Sequence, residues 1–408
     1  MRALFARFFL LCLVFCLAGQ LAYAGCPKFF DVIKNGAWAV ADKRGNLLGS
    51  CNIDTPFIPA SILKIPTALA ALRVLGPDYR FKTELYIDSR DNLYIRGFGD
   101  PLLISEEVLA ILQHLHRRGV KKINAIYIDD SAFALEHQPP GREASSNPYD
   151  APIGATVVNF NSVAFRVFRN HRVRSTEPQT PTLSIMKKLG RNMSPGRYLI
   201  NVCQGSCQPE KRMARFTAEL FRALQHKAGI GGQGGFARKK APDHARLVYF
   251  HKNSRRLDEV LQSMLKYSSN FIANLLYLTI GAEKYGYPAT WAKANRAIHN
   301  TLVSELGPKT ASLIVQEEGA GLSRNNRVTA RTMLKVLKRF SPYAGLLRKR
   351  GPILVKSGTM NGIFNYAGYL SDGKPFVVML NQQRNTRGTV LERIRRGRYP
   401  HKAIGRTQ

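Results

Sequence analysis

Residues 59–66 read Pro59-Ala60-Ser61-Ile62-Leu63-Lys64-Ile65-Pro66 and run into Thr67-Ala68-Leu69-Ala70-Ala71-Leu72, an Ala/Leu-rich stretch. The pattern predicts a helix over 60–75. A spacing of three then puts Ser61 and Lys64 on one helix face. The helix N-terminus also favours negative charge developing near Ser61. The residues after Lys64 are small or apolar, so this helix reads as buried. A buried lysine has a lowered pKa and can serve as a base. Pro66 is expected to cost the helix one backbone hydrogen bond and to bend it. Taken alone, S-x-x-K is a weak signal, because a helix-start serine and a solvated lysine give the same letters.

Two further groups follow in order along the chain. Ser268-Ser269-Asn270 separates two apolar-patterned segments, 256–266 and 271–283. Lys356-Ser357-Gly358-Thr359 ends a strand-like run, 352–356, and precedes two more at 363–370 and 375–381. The last two are joined by the turn Ser371-Asp372-Gly373-Lys374. Singly, the second group could be a helix cap and the third a strand end. Together and in this order, they supply what acyl transfer through an activated serine needs: a nucleophile, a base and further hydroxyl, amide and ammonium groups.

The rest of the chain bounds this reading. It has 408 residues, 45% hydrophobic and 22% charged, with 21 Pro and 33 Gly, which excludes a mostly disordered or collagen-like chain. Arg2 and Arg7 precede the apolar run 8–18, and Ala22-Tyr23-Ala24 has the small-x-small form of a cleavage site. This reads as a signal peptide, 1–24, removed on export to the periplasm or beyond. The mature chain keeps Cys26, Cys51, Cys203 and Cys207. An exported protein permits disulfides, and closeness in sequence favours Cys26–Cys51 and Cys203–Cys207. The alternative, half a metal site at Cys203-x-x-x-Cys207, lacks a nearby Cys/His pair.

Residues 37–51 alternate around Arg44-Gly45-Asn46 like a hairpin. Residues 81–207 are β-rich in texture, interrupted by one amphipathic helix near 105–118. Helical periodicity returns over 209–228, followed by a glycine-rich basic linker, 229–240. The formal net charge of +34 calls for an anionic partner. No nucleic-acid module is present, so anionic cell-wall or envelope polymers are the expected partners and specific nucleic acid is not.

The three groups, with their surroundings, resemble the low-molecular-mass class C penicillin-binding proteins, the D-alanyl-D-alanine carboxypeptidases/endopeptidases. Pro59 to Lys64 looks like their nucleophile segment. Arg96-Gly97-Phe98-Gly99-Asp100-Pro101 looks like their G-D-P turn, and 263–273 like the segment around their second motif. Gly319-Ala320-Gly321-Leu322-Ser323-Arg324 looks like their G-S-G-L-S-R loop. Lys356 to Thr359, with Gly362 and Asn365-Tyr366-Ala367-Gly368-Tyr369, looks like their third motif. Ser269 and Ser357 depart from the usual Asp and Thr. The stretch between the first two motifs is short for the family, which implies a trimmed inserted domain.

The resemblance implies an α+β fold, a helix-flanked antiparallel sheet of the serine β-lactamase/penicillin-binding-protein type. It would be split into 25–80 and 208–384 around a β-rich insert, 81–207, with a basic tail at 385–408. It implies Ser61 as nucleophile, Lys64 as base, Ser268 as proton relay and Asn270 as the residue holding the substrate amide and orienting Lys64. The backbone N–H groups of Ser61 and Thr359 would form the oxyanion hole, and Lys356, Ser357, Gly358 and Thr359 the substrate-binding strand. The substrates would be peptidoglycan stem peptides, with β-lactams as acylating inhibitors and no cofactor or metal. Two other readings stand beside it. A serine β-lactamase of class A would carry E-x-x-L-N between the second and third motifs, and none is found there. A non-catalytic wall-binding protein would not need the full set of hydroxyls and lysines.

Overall fold

The computed structural model describes Cys26 and residues 29–397. The expected signal peptide and the end of the basic tail, 398–408, lie outside the described residues.

A six-stranded antiparallel sheet organises the first unit. Its order is Arg348–Arg350, Ile353–Met360, Ile363–Tyr369, Pro375–Leu380, Gly36–Ala41, Leu47–Cys51. The first and last strands of the sheet in chain order thus pair inside it, where Trp38 faces Val378. Both sheet faces are covered, which is why the middle strands read as nearly continuous apolar runs. Alternate side chains go to different cores. Ala37, Ala39, Val377 and Met379 pack with the helices of one face. Trp38, Val40, Phe376 and Val378 pack on the other with Phe29, Val390 and Ile394.

The helix Lys64–Val74 is the axis of the helical layer. Every residue from Lys64 to Leu72 is buried. Such a helix needs apolar or small side chains all round, which the Ala/Leu run supplies. The structure changes one detail of the expected helix. Residues Ala60–Leu63 form a 3₁₀ turn, and the α-helix begins only at Lys64. Pro66 therefore sits in the first α-turn, where its missing N–H costs little.

The second unit is larger than the expected 81–207 insert. Its five-stranded sheet has the order Phe236–Arg238, Ile126–Asp129, Leu93–Gly97, Lys82–Ile87, Arg246–Lys252. Helix Pro209–Lys227 gives Phe216, Leu220 and Leu224 to the core of this unit, alongside Leu85, Ile95 and Phe165. The expected junction at 207/208 falls inside the unit, because that helix and the 246–252 strand close the core that the insert opens. The residues read as a linker include strand Phe236–Arg238, paired in parallel with Ile126–Asp129. A separate three-stranded sheet, Val173–Ser175, Ser162–Val167, Gly196–Asn201, lies in the same unit.

The start of the expected basic tail is also part of the fold. Helix Arg387–Arg395 buries Val390, Leu391 and Ile394 against the main sheet. Each such side chain contributes on the order of 1.5–3 kcal/mol. Its apolar stripe is hidden in sequence among arginines. The disulfides join Cys26 to Cys51 and Cys203 to Cys207, each with Cα atoms 5.5 Å apart.

Candidate active site

The 3₁₀ turn aligns the first motif. In that geometry side chains at i and i+3 eclipse, so Ser61 and Lys64 are superposed more closely than an α-helix would allow. Lys64 Nζ lies 2.9 Å from Ser61 Oγ. Its other contacts are Asn270 Oδ1 at 2.8 Å and the carbonyl of Ala320 at 2.7 Å. Lys64 is fully buried.

The turn is held from two sides. Ala60 has a positive φ of 46°. Gly321 has φ +84°, and a Cβ there would stand 2.0 Å from the carbonyl oxygen of Ala60. A Cβ on Gly358 would meet the carbonyl of Pro59 at 2.7 Å and the Ser61 nitrogen at 3.1 Å. Glycine at both positions lets the two neighbouring segments press against the nucleophile turn. The amide of Asn365 donates to the carbonyls of Ile58 at 2.9 Å and Pro59 at 2.8 Å, fixing the turn to the sheet.

The second motif joins two helices. Ser268 ends helix Leu257–Tyr267 in the left-handed conformation, φ 57°, an uncommon state for a non-glycine residue. Ser269 caps helix Asn270–Tyr285, accepting from the Ile272 N–H at 3.2 Å. Aspartate caps equally well, so the departure at this position keeps its backbone role. Asn270 Nδ2 donates to the carbonyl of Tyr149 at 3.1 Å. A carbonyl can only accept, so this contact fixes the amide with Oδ1 toward Lys64.

The third motif lies on strand Ile353–Met360. Lys356 donates to Ser268 Oγ at 2.7 Å and to the carbonyl of Ser357 at 2.8 Å. It is 2% exposed. Burial, and then the charge of Arg387, bring its pKa down to about 7. Lys64 is pushed well below the usual lysine range, first by burial and then by the charge of Lys356, with Glu318 acting in the opposite sense.

The structure thus joins Ser61, Lys64 and Asn270 in one hydrogen-bonded group and Ser268 and Lys356 in another, and sets Gly358 against the nucleophile turn. Four residues of the site were missed in the sequence. Arg387 donates to Thr359 Oγ1 at 2.6 Å and to the carbonyl of Gly358 at 3.0 Å. Its guanidinium lies 4.5 Å from the ring centre of Tyr366. Buried Glu318 accepts from the backbone N–H groups of Ala320, Gly321 and Leu322, each at 2.7 Å, and from Asn326 at 2.9 Å. It thereby shapes the loop that presents the Ala320 carbonyl. Tyr149, 57% exposed, reaches the site from the second unit, and Phe160 rests against Phe271 of the second-motif helix. A single arginine or aromatic in an otherwise basic chain carries no sequence signal. Glu318, directly before the Gly-Ala-Gly-Leu loop, was the most findable of the four.

Comparisons with known proteins bear on the family and the fold. A model of the D-Ala-D-Ala carboxypeptidase 3 (S13) family matches residues 34–194 and 210–345. These include the first two motifs, while the third lies beyond them on the adjoining strand. The D-alanyl-D-alanine carboxypeptidase DacB of Haemophilus influenzae is 24% identical, over 81% of each chain. The D-alanyl-D-alanine carboxypeptidase of an Actinomadura species is 26% identical, over 82% of this chain and 75% of its own. Among solved structures, penicillin-binding protein 4 of Haemophilus influenzae aligns with a TM-score of 0.71 at 20% identity, covering 89% of this chain and 95% of its own. A predatory peptidoglycan endopeptidase of Bdellovibrio bacteriovorus aligns at 0.51 and 18% identity, covering 88% and 90%. The chain belongs to the D-Ala-D-Ala carboxypeptidase 3 (S13) family.

Proposed function

We propose that this protein is an exported serine DD-peptidase that cleaves D-Ala-D-Ala ends of peptidoglycan stem peptides through an acyl-enzyme on Ser61. The observation that carries the reading is the set of contacts around Lys64. A neutral amine has two N–H donors and one lone pair. Asn270 Oδ1 and the Ala320 carbonyl are acceptors and take the two donors. The lone pair is left for the Ser61 hydroxyl at 2.9 Å, the arrangement of a nucleophile with its base. The lowered pKa of Lys64 supports the neutral form.

In this mechanism Ser61 Oγ attacks the scissile carbonyl and its proton passes to Lys64. The backbone N–H groups of Ser61 and Thr359 receive the oxyanion, each donor being worth about 3–4 kcal/mol in other hydrolases. Lys356 donates to Ser268 Oγ, which leaves the Ser268 hydrogen free to go to the departing amine of D-alanine, while the proton taken up by Lys64 is relayed to Ser268 to replace it and leaves Lys64 neutral again. Water then releases the acyl group. Thr359 Oγ1 already accepts from Arg387, so its own hydrogen points elsewhere, toward the substrate carboxylate. Arg387, Lys356 and Ser357 complete the carboxylate subsite. A β-lactam carries the same carboxylate and strained amide, and should acylate Ser61; a penicillin G-acylated structure exists for the Bdellovibrio endopeptidase.

The β-lactamase reading is disfavoured by Glu318. Both its oxygens are committed to backbone N–H groups, so it is not placed to activate a deacylating water. The deciding experiment is intact mass of the mature protein before and after penicillin, with Ser61→Ala and Lys64→Ala alongside. A persistent single adduct on the wild type, absent from Ser61→Ala and nearly absent from Lys64→Ala, is expected. An adduct retained by Ser61→Ala would remove the assignment, and rapid destruction of penicillin without an adduct would restore the β-lactamase reading.

A further inference from the structure

The three-stranded sheet of the second unit carries an arrangement of charge that folding alone does not explain. Arg166 of the central strand is in register with Arg174 on one side and Arg197 on the other. All three are exposed. Strand alternation fixes their direction, because Val163, Phe165 and Val167 of the same strand are buried in the core. Like charges directly opposite each other destabilise a sheet. Among the described residues, none of the three forms an ion pair that would offset this.

The turn joining two of these strands adds to the charge. Residues 166–174 hold four arginines and one histidine with no acid. Beside the row of arginines is an open groove lined by Arg166, Phe168, Arg169, Asn170 and Arg197. The Arg166 guanidinium lies 4.9 Å from the Phe168 ring centre, which holds it on the groove side.

We propose that this arginine row and its groove bind successive phosphate groups of a linear, phosphate-bearing envelope polymer, and so hold the enzyme at the wall. The guanidinium fork matches phosphate geometry bidentately. Neighbouring strands are about 4.8 Å apart, so the outer arginines sit roughly 10 Å apart across the row. That span fits a chain of anionic groups better than one small ion. A lipid surface fits less well. Leu199 is the exposed large apolar side chain of these three strands, whereas surface-bound elements use a broad apolar edge. The proposal rests on the exported wall enzyme read above for its setting, but not for its chemistry.

The test uses the mature full-length chain and labelled long-chain inorganic polyphosphate, followed by fluorescence polarisation at low and moderate salt. The wild type should bind, more weakly as salt rises. The triple variant Arg166→Gln/Arg174→Gln/Arg197→Gln should lose about tenfold or more in affinity. It should keep the wild-type rate of penicillin acylation, and its melting temperature should not fall, because it removes repulsion. A control with the same loss of charge, Lys227→Gln/Lys284→Gln/Lys309→Gln, should stay close to wild type. Equal loss in the control would overturn the site in favour of diffuse charge attraction. Binding to vesicles containing phosphatidylglycerol but not to polyphosphate would overturn the polymer in favour of lipid. Because acylation is read separately, failure of the Ser61 mechanism and failure of this site give different results.

Discussion

Arg387 donates to the hydroxyl of Thr359 at 2.6 Å, which ties the helix after the main sheet to the third motif. In the proposed mechanism this contact orients Thr359 toward the substrate carboxylate and places a permanent positive charge beside it. Arg387→Gln should lower kcat/KM for D-Ala-D-Ala peptides by roughly ten- to a hundredfold, corresponding to about 1.5–3 kcal/mol for a charge-assisted contact. A peptide with an amidated C-terminus lacks the carboxylate charge, so it should be affected little. Equal losses on acid and amide peptides would show that Arg387 supports the strand and does not read the carboxylate.

The same arginine sets a pH dependence. Its charge disfavours the protonated form of Lys356 and helps bring that pKa to about 7. Lys356 is therefore charged below about pH 7 and loses its charge above it. Turnover of carboxylate substrates should decline on the alkaline side with a midpoint in that region. Removing the Arg387 charge raises the Lys356 pKa, so Arg387→Gln should move the alkaline limb to higher pH. Steady-state pH profiles of the two proteins decide this; a limb that stays put, or moves down, contradicts the electrostatic account.

Ser269 is expected to matter for stability and not for chemistry. Its side chain faces the Ile272 N–H as a helix cap. Ser269→Ala should cost about 1 kcal/mol in urea unfolding, within the 0.5–2 kcal/mol range for lost caps, and Ser269→Asp should cost little. The penicillin acylation rate of both should remain within a few-fold of wild type. A large drop in acylation with unchanged stability in Ser269→Ala would place this hydroxyl in the reaction.

These expectations show where the sequence was readable. The three motifs carried the site because each uses residue types whose chemistry is unusual in combination, while the hairpin at 37–51 showed alternation about a turn and the later strands of the main sheet stood out as apolar runs bounded by turn residues. The 207/208 boundary was not readable, because helix Pro209–Lys227 is amphipathic whichever core it joins; only the partners of Phe216 and Leu220 decide. Arg387 was hidden for a related reason. Val390, Leu391 and Ile394 make a short stripe inside a segment whose charge suggested solvent. The 3₁₀ turn at Ser61 was not readable either, since it depends on Gly321 and Gly358 pressing in from distant positions.

Glu318 offers a test of the base assignment that leaves the reacting groups untouched. Its charge opposes the lowering of the Lys64 pKa, while its oxygens hold the loop that presents the Ala320 carbonyl. Glu318→Gln keeps the shape, removes the charge and turns an amide NH₂ toward backbone N–H donors. Stability should fall by about 1–3 kcal/mol, the cost of buried donors left without an acceptor. With the negative charge gone, Lys64 should lose its proton at lower pH. The acid limb of penicillin acylation, which reports neutral Lys64, should therefore move to lower pH even as the maximal rate falls with the loosened loop. Urea unfolding and acylation rates across pH read the two effects independently. A limb displaced to higher pH would mean that the group titrating there is not Lys64.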